Sequence, residues 1–370
     1  MLSPDGAFGG PVRVAGNQAA ELRARGHEVL VAAGSRGYPH GAGPQELDGT
    51  PLHLEPLRSV VPRAGHSGLF SAPLWWWARR ALAEVDLVHV HLARDLVTLP
   101  VAALAAARGK PLVLQPHGMV VESSHPLARP LDALLTRRVL ARADAVLHLT
   151  PQEEGGLRAV AGGPVRLAQL GNGVPTVTAA PDLPDRPEVL FCARLQERKR
   201  PLLFARMARQ LLDEGVQARF TLVGPDEGEG DAVAAEVAAV GDPERLRWEG
   251  ALEPSRTLAR MAEASMLVLP SVDEPYPMAV LEAMSVGRPV LVTQSCGLAA
   301  AVRAHRCGYV VDESYDALVA TVRRALAGAA ELRETGARAA VAAREMFGME
   351  AVVDRLEGVY AEALARHASR

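Results

Sequence analysis

Short apolar runs alternate with amphipathic stretches along most of the 370-residue chain. The runs DLVHVHL (86–92), KPLVLQPHG (110–118) and ADAVLHLT (143–150) have the length and continuous apolarity of strands buried on both faces. Between such runs lie Arg- and Ala-rich stretches, VAGNQAAELRARG among them, which are typical of helices that cover a sheet. The pattern predicts an α/β fold with parallel sheets covered by helices.

The alternation is interrupted once, at residues 175–188, where PTVTAAPDLPDRPE is rich in proline and has no period. It then resumes with EVLFCARL, ARFTLVGPD, SMLVLPS and PVLVTQS. We therefore predict two doubly wound, Rossmann-like domains, 1–174 and 189–350, with a linker at 175–188 and a last helix at 351–370. The two domains are expected to face each other across a cleft. Because ligands of open parallel sheets bind at the carboxyl ends of the strands, functional residues should follow the strands directly.

Composition narrows the class of protein. The hydrophobic fraction of 49%, the charged fraction of 22% and the net charge of −3 are those of a globular protein, and they argue against a dedicated nucleic-acid binder. The three cysteines, Cys192, Cys296 and Cys307, contain no C-x-x-C pair, which favours a reducing, cytoplasmic location and no cysteine zinc site. The only lysines are Lys110 and Lys199 in a chain that otherwise uses arginine, so a compact ammonium is expected to matter at Lys199.

Two glutamates eight positions apart, Glu274 and Glu282, follow the apolar run SMLVLPS. Pro275 and Pro277 mark the start of a helix, which would place Glu274 at the junction of loop and helix and Glu282 two turns along. Free backbone N–H groups at such a junction favour a phosphate, and a carboxylate beside it suits hydroxyl groups. The structural alternative is that both glutamates cap or solvate the helix.

Cations and glycines stand where a phosphate would be bound. Arg194 and Lys199 follow the first strand of the second domain, a spacing that suits a diphosphate, although a solvated surface turn is the alternative. Gly9 and Gly10 precede an amphipathic helix and would let its N-terminus approach a phosphate, with Asn17 one or two turns into that helix. An ordinary strand-to-helix turn is the alternative there.

Polar side chains also end strands of the first domain. His117 and Gly118 end KPLVLQPHG, and His91 ends DLVHVH. His91 lines an acceptor pocket or packs within its strand. Asn172, between two glycines, contacts a donor, serves a hinge or forms a plain turn.

Taken in order, these segments resemble the retaining, GT-B-fold glycosyltransferases of family 4. The E-x7-E segment, FCARLQERKRP (the G-R-L-x-x-x-K-G segment of the family), GGPVR, QPHG, GNGV and LVGPDE span nearly the whole chain. The resemblance implies a GT-B fold and a nucleotide-diphosphate sugar donor held mainly by the second domain, with UDP as first choice and GDP as second. It implies a small-molecule or glycan acceptor held mainly by the first domain. The residue bias is that of a GC-rich bacterial genome, which fits aminoglycoside-like antibiotic biosynthesis and equally cell-envelope glycan biosynthesis.

The resemblance also implies residue roles. Arg194 and Lys199 bind the donor diphosphate and stabilise the departing nucleotide, Glu274 grips the sugar hydroxyls, and His117 lies near the transferred sugar. Glu282 binds the nucleotide ribose. Further donor contacts are expected at Gly9, Gly10, Asn172, Gly224, Pro277, Met278 and Ala279, and acceptor contacts at Asn17, His91 and Gly118.

No D-x-D motif occurs in the sequence, so we expect a metal-independent reaction with no cofactor beyond the sugar nucleotide substrate. The rival interpretations are a nucleotide-sugar epimerase of the same fold and an inactive auxiliary subunit. The run Trp75-Trp76-Trp77, followed by Arg79 and Arg80, admits a weak membrane contact. Core packing of at least one tryptophan, together with a place in the cleft wall, is favoured.

Two departures from the family stand out. Tyr276-Pro277 replaces the usual Phe-Gly, which removes one backbone N–H from the donor side. Only Met1 to Phe8 precede the glycine-rich loop, and Leu2 is their only strong apolar residue before Pro4. We expect the natural protein to begin upstream with about five to eight more residues, the length of a strand, or another segment to fill that place.

Overall fold

The computed structural model describes residues 1–4, 10–38, 43–61, 65–123, 128–175, 182–253 and 256–368. It divides into two compact units. The first holds Met1–Pro4, the chain up to Asn172 and the residues from Met349 onwards, and the second runs from Gly173 to Gly348. Of the expected linker, residues 176–181 lie outside the described residues.

The first unit contains two sheets and the helices that cover them. Its elements are α1 (Gly10–Ala24), β1 (Val31–Ser35), β2 (Glu46–Leu47), β3 (Thr50–Pro56), β4 (Arg58–Ser59), β5 (Leu69–Phe70), α2 (Ala72–Ala81), β6 (Val88–His91), α3 (Thr98–Ala107), β7 (Leu112–Gln115), α4 (Ala128–Leu131), α5 (Arg137–Arg142), β8 (Ala145–His148), α6 (Pro151–Ala161) and β9 (Leu167–Gln169). A π-helical segment, Asp132–Thr136, joins α4 to α5.

Strands β6, β7, β8 and β9 form a parallel sheet in sequence order, as the apolar runs predict. The central strand β7 is buried along its whole length because helices cover both of its faces. In the register of β6 and β7, His91 lies opposite Gln115, so the two strands end at the same edge. The candidate histidines therefore share one end of this sheet.

A hairpin in the first unit was not predicted from the apolar pattern. Strands β2 and β3 pair antiparallel, and β3 pairs parallel with β1. The turn is Asp48-Gly49, with φ of 48° and 75°, which is the left-handed pair that a two-residue hairpin turn requires. The D-G dipeptide was the available signal. Beside β1, Leu2 forms a single parallel bridge with Ser35.

The second unit is a six-stranded parallel sheet between helices. Its elements are β10 (Glu188–Cys192), α7 (Pro201–Asp213), β11 (Arg219–Val223), α8 (Gly230–Val240), β12 (Leu246–Trp248), α9 (Thr257–Ala262), β13 (Met266–Leu269), α10 (Met278–Ser285), β14 (Val290–Thr293), α11 (Ala299–Ala304), β15 (Gly308–Val311), α12 (Tyr315–Ala327) and α13 (Ala329–Phe347). The strand order is β12-β11-β10-β13-β14-β15. This is the Rossmann order, with its switch point between β10 and β13, where such sheets bind ligands.

The last helix, α14 (Met349–Ala368), belongs to the first unit. Val353 and Leu356 are buried against a cluster that includes Leu22 and Val113. At the surface the guanidinium of Arg25 donates to the carboxylates of Asp354 and Glu357. The chain thus passes through the second unit and returns to complete the first.

The tryptophan run divides as its helical spacing predicts. Trp77 packs inward against the Leu69, Leu74 and Val97 cluster and stacks on His53 at 4.1 Å between ring centroids. Trp76 is 60% exposed. No helix among the described residues is both long enough and apolar enough to cross a membrane.

Candidate active site

Two of the cationic side chains that follow β10 in the second unit bind one carboxylate. A 3-10 turn, Glu197–Lys199, brings Arg198 and Lys199 to Glu274. Arg198 donates to Oε2 of Glu274 at 3.0 Å, and Nζ of Lys199 makes a short contact with the same oxygen. Glu274 itself is only 7% exposed. We call Arg198, Lys199 and Glu274 the cation cluster.

The backbone around the cation cluster bends sharply on both sides. Arg200 has φ of 57° and Asp273 has φ of 49°, both left-handed. Between them the N–H of Val272 donates to the carbonyl of Arg198 at 3.1 Å, which joins the two loops. These bends turn Lys199 and Glu274 towards each other although 75 residues separate them.

The helix after Glu274 starts later than the sequence indicated. Prolines at 275 and 277 disfavour helical backbone in the residues before them. Helix α10 therefore begins at Met278, with Pro277 extended at its N-cap. Glu282 is the fifth residue of α10, so the prediction of two turns was wrong and the distance is little more than one turn.

The loop carrying Glu274 is supported by the loop after β14. Gly297 donates its N–H to the carbonyl of Glu274 at 2.8 Å, and Ser295 Oγ accepts from the N–H of Asp273 at 3.1 Å. A Cβ on Gly297 would lie 1.9 Å from the carbonyl oxygen of Pro275, so only glycine fits. The sequence analysis missed both of these residues and Arg198. A glycine just beyond the strand PVLVTQS was the available signal.

Burial affects the pKa of Lys199, whose side chain is 12% exposed. Burial lowers the pKa of its ammonium below the ordinary value, Arg198 and Arg194 act in the same direction, and Glu274 opposes them. Positive charge held in such a partly desolvated place interacts strongly with an anionic ligand.

Arg194 and Gly224 lie at neighbouring strand ends. Arg194 is bonded to both carboxylate oxygens of Glu227, at 2.9 and 3.1 Å, and its side chain is 35% exposed. Gly224 has φ of 147°, and a Cβ there would lie 1.9 Å from the carbonyl oxygen of Ala193. A close backbone approach thus explains this glycine structurally, and its donor contact stays a prediction.

The predicted donor-binding residues at the start of α10 lie close together. Pro277 is the N-cap, and Met278 and Ala279 are the first two helical residues. Pro277 makes no side-chain cap hydrogen bond at this end, so among the described residues the first N–H groups of α10 are open to a ligand or solvent. Glu282 is 5% exposed on the buried face of the helix.

In the first unit, three histidines form a row at the ends of β6 and β7. Nδ1 of His91 lies 2.7 Å from Nε2 of His117, and the His89 and His91 rings stack at 4.7 Å between centroids. At the far end, Nδ1 of His89 lies 2.7 Å from the hydroxyl of Tyr360 on α14. Nδ1 of His117 is buried and has no hydrogen-bond partner among the residues that the structure describes.

Burial keeps this histidine row neutral. It lowers the pKa of His89 to about 4 and that of His117 to about 3, and the pKa of His91 falls well below 6.5. At neutral pH each ring is both a donor and an acceptor. His91 thus contacts His117, whereas its predicted contact with an acceptor stays untested.

The turn after β7 is left-handed twice, with φ of 54° at His117 and 75° at Gly118. Both oxygens of the buried Glu153 accept backbone hydrogen bonds, one from the N–H of Gly118 and the other from that of Leu149 at 2.7 Å. The backbone N–H of Gly118 therefore already donates to Glu153, and the acceptor contact expected at Gly118 stays a prediction. Glu153 was missed by the sequence analysis, although T-P-Q-E after a strand was a visible signal.

The remaining predicted residues of the first unit lie around its strand ends and α1. Gly10 is the first residue of α1, and Asn17 is the eighth, two turns in. Asn172 is 4% exposed, and within the described part of the chain its Oδ1 has no hydrogen-bond partner. Gly9 lies outside the described residues.

Comparison with known proteins identifies the class of this site. A family model described as "Glycosyl transferase 4-like domain" matches residues 9–173, and "Glycosyl transferases group 1" matches residues 179–344. Similar curated proteins include D-inositol 3-phosphate glycosyltransferase 1 of Catenulispora acidiphila, 30% identical over 77% of this chain and 74% of that protein. The corresponding protein of Streptomyces avermitilis is 29% identical over 80% and 69%.

Solved structures support the same fold over the full length. Sucrose-phosphate synthase from Thermosynechococcus elongatus has a TM-score of 0.74 at 21% identity, covering 96% of this chain and 93% of that one. Anabaena HepE in complex with UDP and glucose has a TM-score of 0.73 at 16% identity, covering 95% and 96%. The fold is GT-B, and the cation cluster lies at the switch point of its second Rossmann-like unit.

Fold and site thus define a glycosyltransferase that uses a nucleotide-sugar donor. The chain belongs to the group 1 glycosyltransferases of family 4. Among the residues described, no group of three or more His, Cys, Asp and Glu side chains is arranged to hold a metal ion.

Proposed function

We propose that this enzyme is a retaining glycosyltransferase that moves a sugar from a UDP-sugar to a hydroxyl of a small-molecule or glycan acceptor, without a bound metal ion. The cation cluster, with Arg194 beside it after β10, carries the proposal. Cations held at a strand end beside an uncapped helix N-terminus suit a diphosphate and supply the charge that a metal supplies elsewhere.

The neighbours and relatives suggest the substrates. The HepE structure contains UDP and glucose, and a Staphylococcus aureus TarM structure, 13% identical, contains UDP and α-GlcNAc-glycerol. Several relatives are named D-inositol 3-phosphate glycosyltransferases. A polyhydroxylated, phosphorylated small molecule is therefore the first acceptor to test.

In the proposed reaction, the bond from the anomeric carbon to the diphosphate breaks and a bond to the acceptor oxygen forms on the same face of the sugar. The acceptor proton passes to an oxygen of the leaving phosphate. Lys199 and Arg194 stabilise the charge that develops on the diphosphate. When the diphosphate binds Lys199, the contact of Lys199 with Glu274 is broken. Glu274 then accepts hydrogen bonds from sugar hydroxyls. His117, whose Nδ1 has no hydrogen-bond partner among the described residues, lies near the transferred sugar in this reaction.

The test is a panel of UDP-, GDP- and ADP-sugars against D-inositol 3-phosphate and unphosphorylated inositol, with products measured by mass spectrometry. We expect transfer with a UDP-sugar, an unchanged rate in excess EDTA, and an NMR coupling constant that shows retained anomeric configuration. Epimerised donor without transfer, or no turnover of any donor, would contradict the proposal. Loss of activity in EDTA that Mn²⁺ restores would overturn its metal independence alone.

A further inference from the structure

Glu153 lies on α6 of the first unit, where the local sequence T-P-Q-E predicts a helix cap. Thr150 is the N-cap of α6, and its side chain accepts from the N–H of Glu153 at 3.2 Å. In an ordinary capping box the glutamate returns the bond to the N–H of the N-cap residue. In this protein the carboxylate of Glu153 accepts from the N–H groups of Leu149 and Gly118 instead.

The two carboxylate oxygens of Glu153 bridge two neighbouring strands of the first unit. One accepts from Leu149, directly after β8, and the other accepts from Gly118, three residues after the end of β7. The side chain is 5% exposed, and no ion pair with it is found among the described residues. Hydrogen bonds from backbone N–H groups and the positive end of the helix dipole both stabilise a buried carboxylate at a helix N-terminus.

The bond from Gly118 to Glu153 stabilises a left-handed stretch of backbone. His117 and Gly118 are both left-handed, a conformation that is strained at a residue other than glycine. Glu153 fixes the backbone of this turn, and His91 contacts the ring of His117 at 2.7 Å. Together the two contacts direct the unpartnered Nδ1 of His117.

We propose that Glu153 is a positioning residue that sets the orientation of His117 for sugar transfer. The inference rests on the proposed function only for the role of His117. A neutral glutamine cannot replace the carboxylate, because its amide NH2 would face one of the two N–H donors and leave that group unpaired. A buried unpaired group is destabilising, so the turn is expected to shift.

The experiment compares Glu153→Gln with Glu154→Gln, the same substitution one residue further on, where the side chain is bonded to Arg158 at the surface. In protein labelled with ¹⁵N-histidine, Glu153→Gln should move the ring resonances of His117, assigned with His117→Gln. The resonances of His27, which is bonded to Glu357, should stay in place. Glu154→Gln should leave His117 unchanged. An unmoved His117 resonance in a folded Glu153→Gln protein overturns the proposal.

Kinetics with the best donor of the panel give the second measurement. Glu153→Gln should lower kcat about tenfold or more with the donor KM unchanged within about twofold, and should add nothing to the loss caused by His117→Ala. Additive losses would show that Glu153 acts independently of His117 and would refute the inference. Full activity of His117→Ala would instead refute the role of His117, and the resonances would still decide whether Glu153 positions it. If Glu153→Gln does not fold, Glu153→Asp, which keeps the charge but not the reach, takes its place.

Discussion

Lys199 and Lys110 are the two lysines of the chain, and their surroundings differ. Lys199 shares one oxygen of Glu274 with Arg198 and is 12% exposed. Lys110 donates to the carbonyl of Val85 at 2.8 Å in the first unit. The ammonium at 199 is therefore enclosed among charges, where its compact shape matters.

Replacing Lys199 tests this difference. Lys199→Ala should lower kcat by about 100- to 1,000-fold, the usual effect of removing one group that stabilises charge in a transition state. Arg194→Ala should also lower kcat severely. Lys199→Arg should be clearly damaging too, because a planar guanidinium does not fit the position of a point charge already flanked by Arg198. Steady-state kinetics decide, with circular dichroism to confirm folding.

Lys110→Arg is the matched control and should keep normal turnover. Near-normal kcat in both Lys199→Ala and Arg194→Ala would remove these residues from the reaction. Normal kcat in Lys199→Arg would mean that charge alone suffices at this position.

At the scale of elements, the backbone at the start of α7 is strained. Its N-cap is Arg200, with φ of 57° and ψ of 45°, where the family segment quoted above has glycine. The side chain compensates in part by donating to the carbonyl of Glu313 at 3.0 Å. Left-handed backbone costs a residue with a Cβ about 1–2 kcal/mol.

Arg200→Gly should therefore raise the free energy of unfolding by about 1 kcal/mol, measured by denaturant titration. Gly215→Ala is the converse control, since Gly215 has φ of 88° and a Cβ there meets no atom within 4 Å. It should be destabilising through the backbone alone. A loss of stability in Arg200→Gly would show that the contact with Glu313 outweighs the strain.

At the scale of the molecule, α14 connects the end of the chain to the histidine row. The hydroxyl of Tyr360 is 2.7 Å from His89, and burial raises the pKa of that tyrosine. Since the pKa of His89 falls to about 4 and that of His117 to about 3, the unfolded chain, with ordinary values near 6.5, binds protons first on acidification. The stability of the first unit is then full above about pH 6.5 and is lost as the pH falls below that value.

Denaturant midpoints at pH 7 and pH 5 measure this loss. His89→Gln should flatten the pH dependence by up to about 1.4 kcal/mol per pH unit, the value for one proton. His305→Gln, at an exposed position of the second unit, is the control substitution. An unchanged slope in His89→Gln would mean that His89 is already charged in the folded protein or gains no proton on unfolding.

The sequence by itself determined the strands of the two larger sheets, their parallel pairing and the family, but not the β2–β3 hairpin. Continuous apolar runs can be buried only between two helical layers, and the E-x7-E and Arg-Lys segments follow strand ends as that arrangement requires. Only the tertiary structure decided which groups meet. These contacts join residues far apart in the chain. Lys199 and Arg198 bind Glu274, and Gly297 donates to the carbonyl of Glu274. In the first unit, Glu153 accepts from Gly118, and α14 packs on elements from the start of the chain. Local patterns contain no information on such contacts, because left-handed bends and side-chain partners depend on how the packed elements bring distant backbone groups together.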